Sequence, residues 1–187
     1  MSSVFQNIIH LMYANVLLGS MFIVGYFQLL NEPEIDTLDS FKFSDTKVEQ
    51  VEERSRHALH YLSAAERFEF SRIGLSARFS RYFDALSLLV HDSNAEHLFK
   101  NLFNKGSDAA KVYALIGLVH LQKVQPEDPV FQALSHSNKK IVFLSGCVGY
   151  DAILSEWNFY KSKQYFDESI TSRFAMIKNL PSFDLNN

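Results

Sequence analysis

One cysteine, Cys147, stands in a chain of 187 residues, so no disulfide can close within it and no cysteine cage for zinc can be built. Glycine and proline are also scarce, at seven and four, and that composition argues against long low-complexity stretches. The chain has no Asn-x-Ser/Thr sequon, no phosphate-binding Gly-rich loop, no Gly-x-Ser-x-Gly elbow and no His-Glu-x-x-His pair. It also lacks a surplus of positive charge. A formal charge of -3 and an isoelectric point near 6.1 give no footprint for a polyanion, so nucleic acid is not expected as a partner.

Formal charge is missing altogether from one end. Between Met1 and Asn31 there is no Asp, Glu, Lys or Arg, and residues 8–30 read IIHLMYANVLLGSMFIVGYFQLL. As a helix this run would reach about 34 Å, enough to cross a hydrocarbon core of about 30 Å. No basic residue precedes it and no small-x-small site follows, so the pattern differs from a cleaved signal peptide. The expectation is a transmembrane anchor over 1–31, in which His10, Asn15 and Gln28 are candidate contacts to neighbouring membrane helices. The acidic flank Glu32, Glu34, Asp36 and Asp39 tilts the expected topology toward a domain outside the cytoplasm. The alternative is a buried core helix over 8–30.

What is abundant is apolar residue, at 47% against 21% charged, which suits one domain with a continuous core. Pro33 and its acidic neighbours mark residues 32–44 as a linker. A helical domain is expected over 45–187. Thr46 and Glu49 sit at capping-box spacing before the stripe Val48, Val51, Ser55, Ala58, Leu62 and Ala65. After a break at Gly74, Phe79, Phe83, Leu86 and Val90 form a second stripe. Ser93 and Glu96 open a helix with Leu98, Phe99, Leu102 and Phe103 on one face, ended by Gly106. Ser107 opens the next, and Asp128 with Pro129 starts a short one.

Two segments, SLLVHDSNAEHLFKNLF and IGLVHLQKVQPEDPVFQALS, each place a Val-His step before a turn and a Phe-x-x-Leu helix. Their offset of about thirty residues suits stacked helical hairpins, solenoid-like in the manner of armadillo, HEAT and tetratricopeptide arrays, although no residue signature of those families is present. An irregular bundle is the alternative. The expected fold class is therefore mainly α, with room for a small β-hairpin near 140–158, where β-branched and aromatic residues alternate with Gly146 and Gly149. A last helix is expected over 162–179, carrying Phe166, Ile170, Phe174 and Ile177.

Candidate chemistry is sparse. Glu53, His57 and His60 share one helix face at a spacing compatible with a metal, but such polar mixtures are the ordinary dress of a solvated face. Cys147 would become a nucleophile only with a histidine such as His120 or His136 in reach, and its apolar surroundings favour a small buried hydrophobe. No cofactor is expected. The stretch from Arg54 to Arg81 is locally basic, with Arg67, Arg72, Arg78 and Arg81 interleaved with Phe68, Phe70, Phe79 and Tyr82. Arg72, Arg78 and Arg81 are the candidate contacts to a protein partner or an anionic lipid surface, although helical spacing would equally leave them solvated over buried aromatics. The expected function is a membrane-anchored interaction or scaffold module, such as an accessory subunit of a membrane complex. The rival expectations are a hydrolase or thiol-dependent enzyme whose site is not visible in sequence, and a soluble helical protein built round residues 8–30.

Overall fold

The computed structural model describes residues 36–44, 52–165 and 169–178. These residues form a mixed α/β domain with a four-stranded sheet. Its elements are α1 (Thr37–Ser40), α2 (Glu53–Ser63), β1 (Arg67–Ile73), β2 (Arg78–Phe79), α3 (Arg81–Val90), α4 (Ala95–Lys105), α5 (Asp108–His120), α6 (Pro129–Ser135), β3 (Lys140–Gly146), β4 (Val148–Ile153), a 3-10 turn (Leu154–Glu156), α7 (Phe159–Tyr165) and α8 (Ser169–Ile177).

The strand order is β2-β1-β3-β4. Two antiparallel hairpins, β1–β2 and β3–β4, meet along a parallel pairing of β1 with β3 that sets Phe68 beside Phe143. A parallel pair needs a long crossover, and here α3 to α6 supply it. The β3–β4 turn has two residues, with Ser145 opposite Val148. Gly146 takes the first turn position at φ 56°, a left-handed backbone that favours glycine in such tight hairpins.

Helix starts follow capping chemistry. The hydroxyl of Ser80 accepts from the Phe83 N–H and that of Ser107 from the Ala110 N–H, while Pro129 opens α6 where its missing N–H costs nothing. The core gathers round α5, in which every residue from Ala109 to Val119 is buried. At its centre Phe68 packs at ring-centroid distances of 4.8 Å from Tyr113, 5.1 Å from Trp157, 5.2 Å from Phe143 and 4.8 Å from Tyr165. Residues 36–44 pack on this body. Phe41 and Phe43 meet Phe103 edge to face, and Asn104 exchanges hydrogen bonds of 2.9 Å with the Phe43 backbone in both directions.

The mainly α expectation is corrected by the sheet. Residues 67–73 alternate Arg-Phe-Glu-Phe-Ser-Arg-Ile, a period of two that buries Phe68 on one face, and the strand is completed by β3 more than seventy residues away. The two segments with the Val-His step do not stack as solenoid repeats; α3 to α6 instead form the crossover between β1 and β3. The expected last helix is two, α7 and α8.

The single-pass membrane reading is corrected as well. Among the described residues no helix is long and apolar enough to cross a membrane; the longest, α5, has 13 residues where a span needs about 20. The apolar run 8–30, with His10, Asn15 and Gln28, lies outside the described residues, as do Thr46, Val48, Val51, Phe166 and the buried-helix alternative for 8–30.

Candidate binding clefts

Two clefts draw on the sheet and its flanking helices. Alternation along β1 aims Phe68 and Phe70 at one face and Arg67 and Glu69 at the other.

On the Phe68 face a cleft of about 560 Å³ opens between β4 and α7. Its floor is aromatic: Phe70, Phe143, Tyr150, Trp157 and Tyr165. Phe143 stacks with Tyr150 across the β3–β4 pair at 5.8 Å and with Trp157 at 5.7 Å. Trp157 is held by its indole N–H, which donates to Ser162 Oγ at 2.7 Å. Tyr165 is held by its hydroxyl, which donates to the Glu69 carbonyl at 2.7 Å. Burial pushes the Tyr165 phenol well above its ordinary pKa, so it remains a donor across the physiological range. Glu156, Lys161 and Gln164 supply the polar rim. An apolar cavity of this size with a few polar groups at its mouth suits an aromatic or aliphatic side chain or a small planar ligand.

The mouth of this cleft is formed by an edge strand. β4 ends the sheet, and Val148 and Tyr150 on it are 64% and 46% exposed. The neighbouring β3 exposes Val142 on the other face. Among the residues 148–153 there is no proline and no lysine, and Asp151 is the one charge. The usual devices that keep a sheet edge from pairing are therefore sparse.

On the Glu69 face a second cleft, of about 340 Å³, is lined by Arg67, Arg78 and Arg81 with Tyr61, Tyr82 and Glu69 among others. Glu69 is buried there, with 3% exposure. One of its oxygens accepts from Arg67 Nε at 2.8 Å and the other from the Ser80 hydroxyl at 2.7 Å. Tyr61 and Tyr82 pack at 4.9 Å, and burial raises both phenol pKa values, so each keeps its proton.

The arginines named from the sequence therefore separate. Arg78 and Arg81 come together with Arg67 in the second cleft. Arg72 is used elsewhere: it donates to the Ala77 carbonyl at 3.0 Å and lies over the Phe79 ring at 4.1 Å, a ring that Arg173 also covers at 4.2 Å. Tyr61 was not singled out from the sequence, because it reaches the cleft from α2 and its role shows only when α2 packs beside α3. Trp157 and Tyr165 were missed too, since the groups that complete their cleft come from β1 and β3.

The other sequence candidates do not assemble. Glu53 and His57 form an exposed pair at 3.8 Å on α2, and among the described residues no group of three acidic, histidine or cysteine side chains is placed to hold a metal. Cys147 lies exposed at the tip of the β3–β4 turn and makes no hydrogen bond among the described residues, so it is not the buried hydrophobe expected. His136 points its Nδ1 at the Gln132 carbonyl at 2.7 Å, closing its own helix turn. His120 ends α5.

Set against known protein families, curated proteins and solved structures, the chain shows no match.

Proposed function

We propose that this domain is a protein-interaction module that binds an extended segment of a partner protein by strand addition along β4. The observation that carries the reading is the coincidence of an exposed, sparsely protected edge strand with an aromatic cleft on the same face. Strand addition draws affinity from main-chain hydrogen bonds and specificity from alternate side chains. An added strand would lie about 4.8 Å from β4. Every second residue of it would face the Val148, Tyr150 and Ala152 side of the sheet, beside the cleft.

The occupant is a partner segment with an aromatic or large aliphatic residue at alternate positions, one of which enters between Tyr150 and Trp157. A second copy of the chain suits the site less well. Antiparallel pairing of β4 with itself must keep matching faces together, so it centres on a residue. Centring on Asp151 opposes two carboxylates, and centring on Tyr150 sets one cleft-lining tyrosine against its copy, with Val148 facing Ala152.

Trp157 is the only tryptophan in the chain and lines this cleft, so its emission reports occupancy. Panning a library of displayed 12-residue peptides against the full chain should enrich sequences with alternating apolar residues that shift Trp157 fluorescence. Replacing Tyr150 with Lys should weaken those peptides by about tenfold or more, the scale of one lost anchor. Enriched peptides that bind the Tyr150→Lys chain equally well would overturn the reading. A concentration-dependent dimer abolished by the same substitution would give the edge to a second copy instead.

A further inference from the structure

The β4 edge has two faces, and only one of them carries the aromatic cleft. Register sets Tyr150 opposite Phe143 and Ala152 opposite Ile141 on the cleft side, which puts Gly149 opposite Leu144, Asp151 opposite Val142 and Ile153 opposite Lys140 on the reverse side. The reverse side is open. Leu144 is half-buried there, and Val142 and Ile153 are 42% and 38% exposed.

Hydrogen-bond parity adds direction. The Leu154 N–H donates to the Lys139 carbonyl at 2.7 Å, one pair beyond the register of Lys140 with Ile153. Bonded and non-bonded pairs alternate along an antiparallel ladder, so Val148, Tyr150 and Ala152 turn their main-chain groups toward β3. Gly149, Asp151 and Ile153 aim theirs outward, at the position of an added strand. The residues that would bond a partner's backbone are thus the ones whose side chains face the reverse side.

Gly149 has no explanation within the fold. Its backbone is not left-handed, and the β3–β4 register runs past it without a bulge. A Cβ there would meet Leu144 Cδ1 at 3.8 Å and the Phe143 carbonyl oxygen at 3.9 Å, which is ordinary contact. Glycine inside a strand weakens it, and where neither bulge nor bend requires it, it marks a place where another chain comes close. Asp151 is unused as well. Its side chain is exposed and makes no ion pair or hydrogen bond among the described residues, although two cations share its face: Arg67, held by Glu69 at 2.8 Å, and Lys140, opposite Ile153.

We infer that Gly149 and Asp151 determine specificity at the strand-addition site: the partner strand lays an aromatic side chain across Gly149 onto Leu144 and sets a lysine or arginine opposite Asp151. This rests on the proposed pairing along β4 and adds the chemistry of the partner's other face. A ring across from a glycine covers the apolar surface that the missing side chain leaves bare, and an opposite charge across the ladder favours one register over its neighbours. In antiparallel pairing, the slightly stronger arrangement, residues lie directly opposite each other. The partner then reads basic, apolar, aromatic over three successive residues, the middle one entering the cleft beside Tyr150. β4 itself contains no basic residue, so the charge requirement also favours a different chain over a second copy.

The test uses the full chain and the displayed peptides that it enriches. Those released by Tyr150→Lys should carry a lysine or arginine two residues before an aromatic. For such a peptide, replacing the aromatic with alanine should weaken binding about fivefold; in Gly149→Thr, which should fold at least as stably, that loss should shrink to about twofold or less. Asp151→Lys should weaken the same peptide about fivefold, and exchanging its basic residue for glutamate should restore binding to the Asp151→Lys chain. Trp157 emission follows each titration. Enriched peptides without the pattern, an equal aromatic contribution in Gly149→Thr, or no recovery in the swapped pair would overturn the inference, and the β4 reading would survive it wherever Tyr150→Lys still released the peptides. If no peptide were enriched, both would fall.

Discussion

The hydroxyl of Tyr113 accepts the backbone N–H of Glu69 at 2.7 Å inside the core, where Tyr113 has no exposure at all. β2 pairs only with Arg72 and Ile73 of β1, so the backbone of Glu69 lies beyond the reach of that short strand. Tyr113 from α5 takes its N–H and Tyr165 from α7 takes its carbonyl. Two phenols thereby finish the sheet edge, which explains why polar tips are tolerated in the densest part of the core. The same residue, Glu69, carries the carboxylate at the floor of the arginine cleft, so one position links the core to both candidate sites.

Replacing Tyr113 with Phe should remove the acceptor and leave the ring. A buried donor without a partner costs about 1–3 kcal/mol, and Tyr113→Phe is expected to lose stability in that range with the fold unchanged. Urea unfolding followed by circular dichroism measures it. A loss below experimental error would mean that the Glu69 N–H finds another acceptor.

Close helix packing gives a second expectation. A Cβ added at Gly117 of α5 would come within 2.4 Å of the Phe99 ring of α4, and Phe99 is itself fully buried and unable to swing aside. Alanine would gain about 1 kcal/mol of helix propensity over glycine, but overpacking a rigid core costs about 1–3 kcal/mol. Gly117→Ala should therefore be neutral to destabilising by about 2 kcal/mol. Combining it with Phe99→Leu, which vacates the ring edge, should cost less than the two single changes added together. Additive costs in thermal or urea melts would refute the contact as the cause.

The helices were the legible part of this fold. Ser107 as a cap, Pro129 at a first turn and the buried stripe Leu98, Phe99, Leu102 and Phe103 are local signals, and each works within one helix. Of the sheet, only the β3–β4 hairpin was legible, in the β-branched and aromatic run near Gly146 and Gly149; the rest was not, because its decisive pairing joins Arg67–Ile73 to Lys140–Gly146 and no local pattern records a partner so distant. Phe68 and Phe70 enter the sequence reading only as aromatics interleaved with arginines at helical spacing, although they alternate with Arg67 and Glu69 as a strand. The arginines were visible as a basic stretch. Which of them share a cleft was not, since Arg78 and Arg81 flank a turn into α3 while Arg72 is drawn to the Phe79 ring.

The junction of α3 and α8 rests on a charge pair. Arg173 Nη2 donates to Asp84 Oδ2 at 2.8 Å, with Nε on the other oxygen, and the Asp84 side chain is 8% exposed. Removing the cation alone leaves a buried carboxylate uncompensated, at a cost of about 3–5 kcal/mol when burial is complete. Arg173 is partly exposed, so Arg173→Met should sit near the lower end of that range. The double change Asp84→Asn with Arg173→Met should recover part of the loss. Hydrogen exchange along 169–177 would rise in the single variant. An unchanged exchange pattern would show that α8 is held by its apolar contacts alone.

Acid should act on Glu96 in a window set by its neighbours. Lys100 on the same helix and Lys123 beyond α5 both bond its carboxylate at 2.8 Å, and they pull its pKa from an ordinary 4.5 down to about 2. The folded value lies below the unfolded one, so the contribution is present in full above about pH 4.5 and is lost as the pH falls toward 2. The carboxylate is partly open to solvent, and screening holds the contribution to about 1 kcal/mol. Glu96→Gln should thus lower stability by about that amount at pH 7 and by progressively less toward pH 2, so that the two unfolding curves converge at the acid end. Adding 1 M salt at pH 7 should shrink the gap in the same way. Curves that stay parallel from pH 7 to 2 would show that Glu96 contributes through its packing and not through its charge.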